Sequence, residues 1–284
     1  MLTITIATIA LFGPLTGATI QDTADEAALE AYEGAIDAWQ LAQKEHRKAY
    51  SEAETADERM RIWEEERPDA DAFAPAFLEI AASYPGGKVA LDSLGWVAGN
   101  AKDTKMIVHV CKEALRDHLA SPDLGSFVDS IARSSDPAAE RVLLTILTSS
   151  PHRDVKGKAC YQLGMKKLSA ARLARRVQEA DEEDLDMLNR RYTEVAVMRA
   201  KGLEPKLLQI AGERLLERVV NEFGDVERWG RVLGKYAAAE LFELRRLQLG
   251  MIVPEIEGVG IDEKPMKLSD YRGKVVLLDF WGDW

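Results

Sequence analysis

The residues able to do chemistry are few and scattered. Cys111 and Cys160 are the two thiols of the sequence, and neither belongs to a Cys-x-x-Cys motif. Each lies in a helix-like apolar pattern, Met106-Ile107-Val108 ahead of one and Tyr161 and Leu163 after the other. Both are therefore expected as small buried core residues. A disulfide between them is the alternative in an exported protein, and a single pair gives no framework to read. His46, His109, His118 and His152 are spread over the chain. His109 and Cys111, two apart, fall on different faces of a helix. Gly86-Gly87-Lys88 lacks the upstream Gly and the following Ser or Thr of a phosphate-binding loop and reads as a turn between helices. Gly258-Val259-Gly260 lacks the third Gly and the helix of a dinucleotide site. The acidic run at 179–186, EADEEDLD, has neither the alternating ligands nor the Gly of a calcium loop. A solvated loop leading into the negative first turn of a helix accounts for it. Neither a metal site nor a cofactor is expected.

The elements around these residues are helical from about residue 25 to 249. Ala, Leu, Glu, Arg and Lys dominate, and apolar residues recur at three and four. Leu29, Tyr32, Ile36 and Trp39 form one stripe; Leu207, Ile210, Leu215, Val219 and Phe223 form another. Pro and Gly punctuate the run at Pro68, Pro85-Gly86-Gly87, Pro122, Pro137, Pro151, Pro205 and Gly224. Three stretches resemble one another: LEIAASYP ending at Pro85, LTILTSSP ending at Pro151 and LERVVNEFG ending at Gly224. Each precedes a turn and a new helix. Their offsets are about twice the ~34-residue period of tetratricopeptide repeats. The expectation is mainly α: helical hairpins arranged as an α-solenoid or as a bundle.

The character changes at Gly250. Val253-Pro254-Glu255-Ile256 is extended, because the residue before a proline is pushed toward β. Asp262-Glu263-Lys264-Pro265 signals a turn. Ser269 is the expected N-cap of one helical turn, Asp270-Tyr271-Arg272, which Gly273 ends. Residues 274–280, KVVLLDF, then read as a strand buried on both faces. A mainly helical domain at 25–249 is thus followed at 250–284 by the N-terminal fragment of an α/β domain.

Composition narrows the partners. The formal net charge is -11, which repels phosphate backbones and makes nucleic acid an unexpected partner. Residues 1–18 are apolar and uncharged, resembling the core of a secretory signal with Thr16-Gly17-Ala18 as the cleavage site. A retained membrane anchor is the alternative, since such a run approaches the ~20 residues that span a bilayer. The expected location is exported, either periplasmic or anchored facing the periplasm, with the membrane touched only through that N-terminal segment.

The segment 250–284, GMIVPEIEGVGIDEKPMKLSDYRGKVVLLDFWGDW, resembles the opening of thioredoxin-like redoxins of the TlpA and AhpC/TSA type. The match runs through Gly250, Pro254-Glu255-Ile256, Lys267-Leu268-Ser269-Asp270-Tyr271-Arg272-Gly273-Lys274-Val275-Val276, Asp279-Phe280-Trp281 and Trp284, about an eighth of the chain. Glu263 stands where the family's turn often has Gly, and Gly282-Asp283 replaces its Ala-Ser or Ala-Thr. The resemblance implies a thiol–disulfide oxidoreductase whose reactive cysteines follow directly after Trp284. The chain as given then holds no catalytic residue, only the site-flanking Phe280, Trp281 and Trp284. Protein disulfides or a thiol reductant are the implied partners, with a further protein docking on the helical region. Reductase, isomerase and peroxidase roles all stay open. The alternative is a helical repeat interaction scaffold with no redox activity.

Overall fold

The computed structural model describes residues 20–192, 194–261 and 263–281, with side chains from Asp25 onward. The expected signal or anchor at 1–18 therefore lies outside the described residues, as does Trp284. The chain is mainly helical. Its α-helices are α1 (Ile20–Glu52), α2 (Ala56–Glu65), α3 (Ala70–Ser83), α4 (Lys88–Asn100), α5 (Thr104–His118), α6 (Leu124–Ile131), α7 (Pro137–Ser149), α8 (Arg153–Glu179), α9 (Glu182–Arg191), α10 (Glu194–Lys201), α11 (Pro205–Glu222) and α12 (Leu233–Arg246). No described helix is long and apolar enough to cross a membrane.

Local chemistry explains where these helices begin. Thr55, Asp69, Asp103, Asp136 and Asp181 each accept a hydrogen bond from a backbone N–H of the first turn that follows. Such a cap contributes about 1 kcal/mol by satisfying a donor the helix cannot. Pro137 and Pro205 open α7 and α11, where their missing N–H costs nothing. The acidic run behaves as expected: Asp181 caps α9, and Glu182, Glu183 and Asp184 fill its first turn.

The caps keep a rhythm. Asp69, Asp103 and Asp136 open α3, α5 and α7 at spacings of 34 and 33 residues. Bonds between successive pairs of helices lock that rhythm in space. The Asp71 carboxylate accepts the backbone N–H groups of Lys102 (2.7 Å) and Asp103 (3.1 Å), and Thr104 Oγ1 donates to Asp136 Oδ2 (2.7 Å). Ser126 Oγ donates to Asp92 Oδ1 (2.8 Å), and Lys166 Nζ donates to the carbonyls of Ala132 (3.1 Å) and Ser134 (2.6 Å). Helices α4, α6 and α8 pack in series, α5 lies against α7, and α11 packs along α8 with α12 behind it. One apolar core runs through the stack from Ala70 to Leu244. The far end of α8 overshoots this core and carries a satellite cluster with α9 and α10, built on Val177, Leu188 and Val197.

Helix α8 packs along α11 with glycines of both helices at the contact. A Cβ on Gly212 would lie 2.7 Å from Leu168 Cδ2 and 3.1 Å from the Gly164 carbonyl oxygen. Leu168 is itself buried, and the Gly164 carbonyl is backbone that cannot rotate aside. Gly212→Ala is expected to lose about 1–3 kcal/mol to overpacking, against about 1 kcal/mol gained in helix propensity. Gly34, exposed on α1 with nothing within 4 Å of its missing Cβ, should gain that same ~1 kcal/mol as Gly34→Ala. Urea unfolding of the two variants should therefore move in opposite directions.

Two features depart from the expected helical run and tail. Glu227–Arg228 (β1) and Arg231–Val232 (β2) form a small antiparallel hairpin between α11 and α12. Its turn residues, Trp229 and Gly230, both have positive φ (52° and 73°), the type I′ geometry that matches strand twist. After α12, Glu257–Val259 (β3) pairs antiparallel with Pro265–Lys267 (β4). The expected strand at 274–280 does not form among the described residues. Residues 275–281 are irregular and exposed throughout, because a strand exists only by hydrogen bonding to a neighbour and none lies alongside.

Candidate functional site

The tail positions the residues that the redoxin resemblance singles out. In the β3–β4 turn, Glu263 has φ 60°, the left-handed conformation that glycine takes without strain. Its N–H donates to the Gly260 carbonyl, and the Gly260 N–H donates to the Lys264 carbonyl, each at 2.9 Å. The helical turn is a 3-10 turn at Leu268–Tyr271, entered from Lys267. Ser269 lies inside that turn instead of capping it. Asp270 Oδ2 accepts the Lys267 N–H (3.1 Å), and the Ser269 N–H donates to Glu255 Oε1 (2.9 Å). Hydrogen bonding from the Ser269 side chain, with this N–H second, lowers the Glu255 carboxyl from its ordinary value. Gly273 ends the turn with φ 83°. Beyond it Val275, Leu277, Phe280 and Trp281 stand almost fully in solvent.

The thiols are placed away from this segment and are not bonded to each other. Both are buried. Burial pushes the Cys111 thiol up to about 12 and the Cys160 thiol up to about 11. Cys160 Sγ also donates to the Leu215 carbonyl (3.4 Å). Neither supplies a thiolate at neutral pH, so neither is a nucleophile. Ellman's reagent at pH 8 is expected to find no fast thiol in the folded chain and two after guanidinium unfolding. The sign of the pH dependence follows. Both folded pKa values exceed the unfolded value near 9, so the buried neutral thiols favour the fold below pH 9. That contribution is lost as pH rises through 11–12.

The histidines do not converge. His109 is exposed beside Glu113 (3.4 Å), whereas Cys111 on the same helix is buried. His118 is buried, which lowers its pKa. His152 bonds the Ala120 carbonyl (2.8 Å). Among the described residues no three His, Cys, Asp or Glu side chains come together as metal ligands.

A site the sequence did not announce forms where α1, α2 and the end of α4 meet. His46 Nε2 donates to the Ile62 carbonyl (3.1 Å) and ties α1 to α2. This leaves Trp63 half-exposed, with Tyr50 edge-on at 6.1 Å and the Arg67 guanidinium 5.3 Å from its ring centre. Trp63 forms a wall of two cavities. One, of about 410 Å³, is lined by Trp39, His46, Arg47, Arg67, Asn100 and Lys102 among others. The other, of about 550 Å³, is lined by Tyr50, Arg59, Met60, Glu64 and Arg190. Arg190 comes from α9, so the two ends of this cleft are more than a hundred residues apart in sequence. A tryptophan in an acidic helix, followed by Arg67-Pro68, was the available signal, but no fixed spacing links it to residues 39, 47, 102 and 190.

Comparison with family models, with curated proteins and with solved structures gives no match.

Proposed function

We propose that the chain is the front part of an exported thiol–disulfide oxidoreductase of the redoxin kind, with a tetratricopeptide-like docking region ahead of its redox domain. The observation that carries it is the tail: a hairpin, a single helical turn and an open apolar run, in the order the redoxin opening requires. Residues 275–281 expose Val275, Leu277, Phe280 and Trp281 together. Such a run is stable only when a sheet covers it. The 33–34-residue rhythm of Asp69, Asp103 and Asp136 supports the docking half of the proposal.

On this proposal the reactive dithiol belongs after Trp284, at the carboxyl end of the strand that residues 274–280 would form. A thiolate there attacks a substrate disulfide, releasing one sulfur as a thiolate. A second cysteine then displaces the other, so the substrate is reduced and the pair oxidised. Phe280 and Trp281 supply the apolar flank that holds the substrate against the attacking sulfur.

Insulin reduction by the native gene product tests this, with alkylation mapping of every cysteine. Turbidity in the native product, none with residues 1–284 alone, and an alkylated Cys-x-x-Cys beyond Trp284 are expected. A native product whose only thiols are Cys111 and Cys160 sinks the redox half and leaves the second reading, an interaction scaffold. The cleft around Trp63 favours that second reading.

A further inference from the structure

We propose that the cleft around Trp63 is a docking site for an acidic peptide segment that carries an aromatic or large apolar anchor. The inference rests on the docking half of the proposed function and not on the redox half. Charge is the first argument. The whole chain is strongly acidic at -11, yet the two cavities are lined by Arg47, Arg59, Arg67, Lys102 and Arg190 against the single carboxylate of Glu64. Lys102 pairs with Asp69 (3.9 Å) and Arg59 Nε donates to the Ala53 carbonyl (3.3 Å), whereas Arg47, Arg67 and Arg190 have no carboxylate within 4 Å among the described residues. Uncompensated cations held together on an acidic protein mark where an anion is received.

Shape is the second argument. Both cavities share the Trp63 indole, so a ligand filling them must pass around one ring. An extended polypeptide does this, with a side chain for each cavity; a compact metabolite fills one only. The walls suit an anchor of that kind. Tyr50, Met60 and Trp63 present half-exposed apolar surface to the larger cavity, and Trp39 lines the smaller. Tryptophan, tyrosine and arginine are the residues that most often carry binding energy at such sites. The site is also preorganised: the His46 bond to Ile62 and the Arg67–Trp63 stack exist without a ligand.

The test is fluorescence anisotropy with the full chain. The probe is a short fluorescein-labelled peptide of glutamates around one phenylalanine. Its counterparts have lysine for each glutamate, glycine for the phenylalanine, or are oligothymidylate of equal charge. Binding is expected for the glutamate–phenylalanine peptide above all others, weakening with salt. Trp63→Ala, and Arg47→Glu with Arg67→Glu, should each weaken it on the order of tenfold, the ~1.4 kcal/mol of one lost anchor. Lys235→Glu, exposed on α12, a helix that lines neither cavity, should not. The paired arginine variant carries the test if Trp63→Ala fails to fold, since both guanidinium groups are exposed. No binding, equal binding of the lysine peptide, affinity unchanged in the arginine variant, or tighter binding of oligothymidylate would each overturn the proposal. Insulin reduction by the native product is unaffected by any of these results, so failure of the cleft and failure of the redox half are distinguishable.

Discussion

Asp129→Ala is expected to destabilise the fold by about 3–5 kcal/mol, the cost of leaving one member of a buried ion pair behind. Asp129 on α6 accepts two bonds at 2.9 Å on the same oxygen, from Arg228 Nε and from Gln162 Nε2. The pair is shielded: its side chains are only 10% and 14% exposed for Arg228 and Asp129. The Arg228 guanidinium also lies 3.7 Å from the Trp229 ring centre and 5.6 Å from that of Tyr161. Both ring contacts hold the guanidinium at its place beside Asp129. Arg228 is also what pins the β1–β2 hairpin to α6, 99 positions earlier in the chain. In a protein of this size each kcal/mol moves Tm by about 2–4 °C, so thermal unfolding reads the effect easily. Asp129→Asn keeps an acceptor and should lose less. Asp129→Leu combined with Arg228→Met removes both charges together and should return close to the parent. The exposed Arg116–Asp117 pair provides the contrast, and Asp117→Asn there should change nothing measurable. A loss below about 1 kcal/mol for Asp129→Ala would mean that water reaches the pair.

That anchored hairpin is also where sequence patterning stops being informative. Each strand has two residues, too few for alternation to show, and Trp229 is not a residue that favours positive φ. The helices were legible, because Pro85-Gly86-Gly87, Ser150-Pro151 and Phe223-Gly224 fall at helix ends. The 34- and 33-residue spacing of the caps Asp69, Asp103 and Asp136 is less legible, for a physical reason. The junction between α4 and α5, Ala101-Lys102-Asp103, contains neither Pro nor Gly and is closed instead by the Asp71 carboxylate reaching across from α3. A turn made by a side chain from another helix leaves no local mark. The tail shows the opposite case. Residues 274–280 carry a strand pattern, but pattern expresses what a segment can bury, and pairing needs a neighbour. Phe280 and Trp281 were visible in the sequence for that reason, and the structure leaves them open. The Trp63 cleft was invisible because its residues come from α1, α2, α4 and α9, brought together by packing and by no spacing.

Phe77→Ala is expected to cost about 3–5 kcal/mol as well, and its effect should be uneven along the chain. Phe77 is fully buried on α3 and stacks on Trp96 of α4, with ring centres 3.9 Å apart and planes 12° from parallel. Tyr32 of α1 meets it edge-on at 5.9 Å, and Trp39 of α1 meets Phe73 and Trp96 edge-on at 5.2 and 5.4 Å. Such contacts each add about 0.5–1.5 kcal/mol beyond the area they bury. Along α1, Ala28 is the single fully buried residue among those described, so this aromatic group is its main hold on the stack. Removing the ring should thus free α1 before the rest unfolds. Amide exchange in residues 28–39 should rise far more than in α7 or α8, whose core contacts do not involve Phe77. Phe77→Leu keeps most of the volume and should restore much of that protection. Because α1 also brings His46 and Arg47 to the cleft, Phe77→Ala should weaken binding of the acidic peptide without touching it. Equal exchange throughout the chain would show instead that α1 and the stack unfold as one unit.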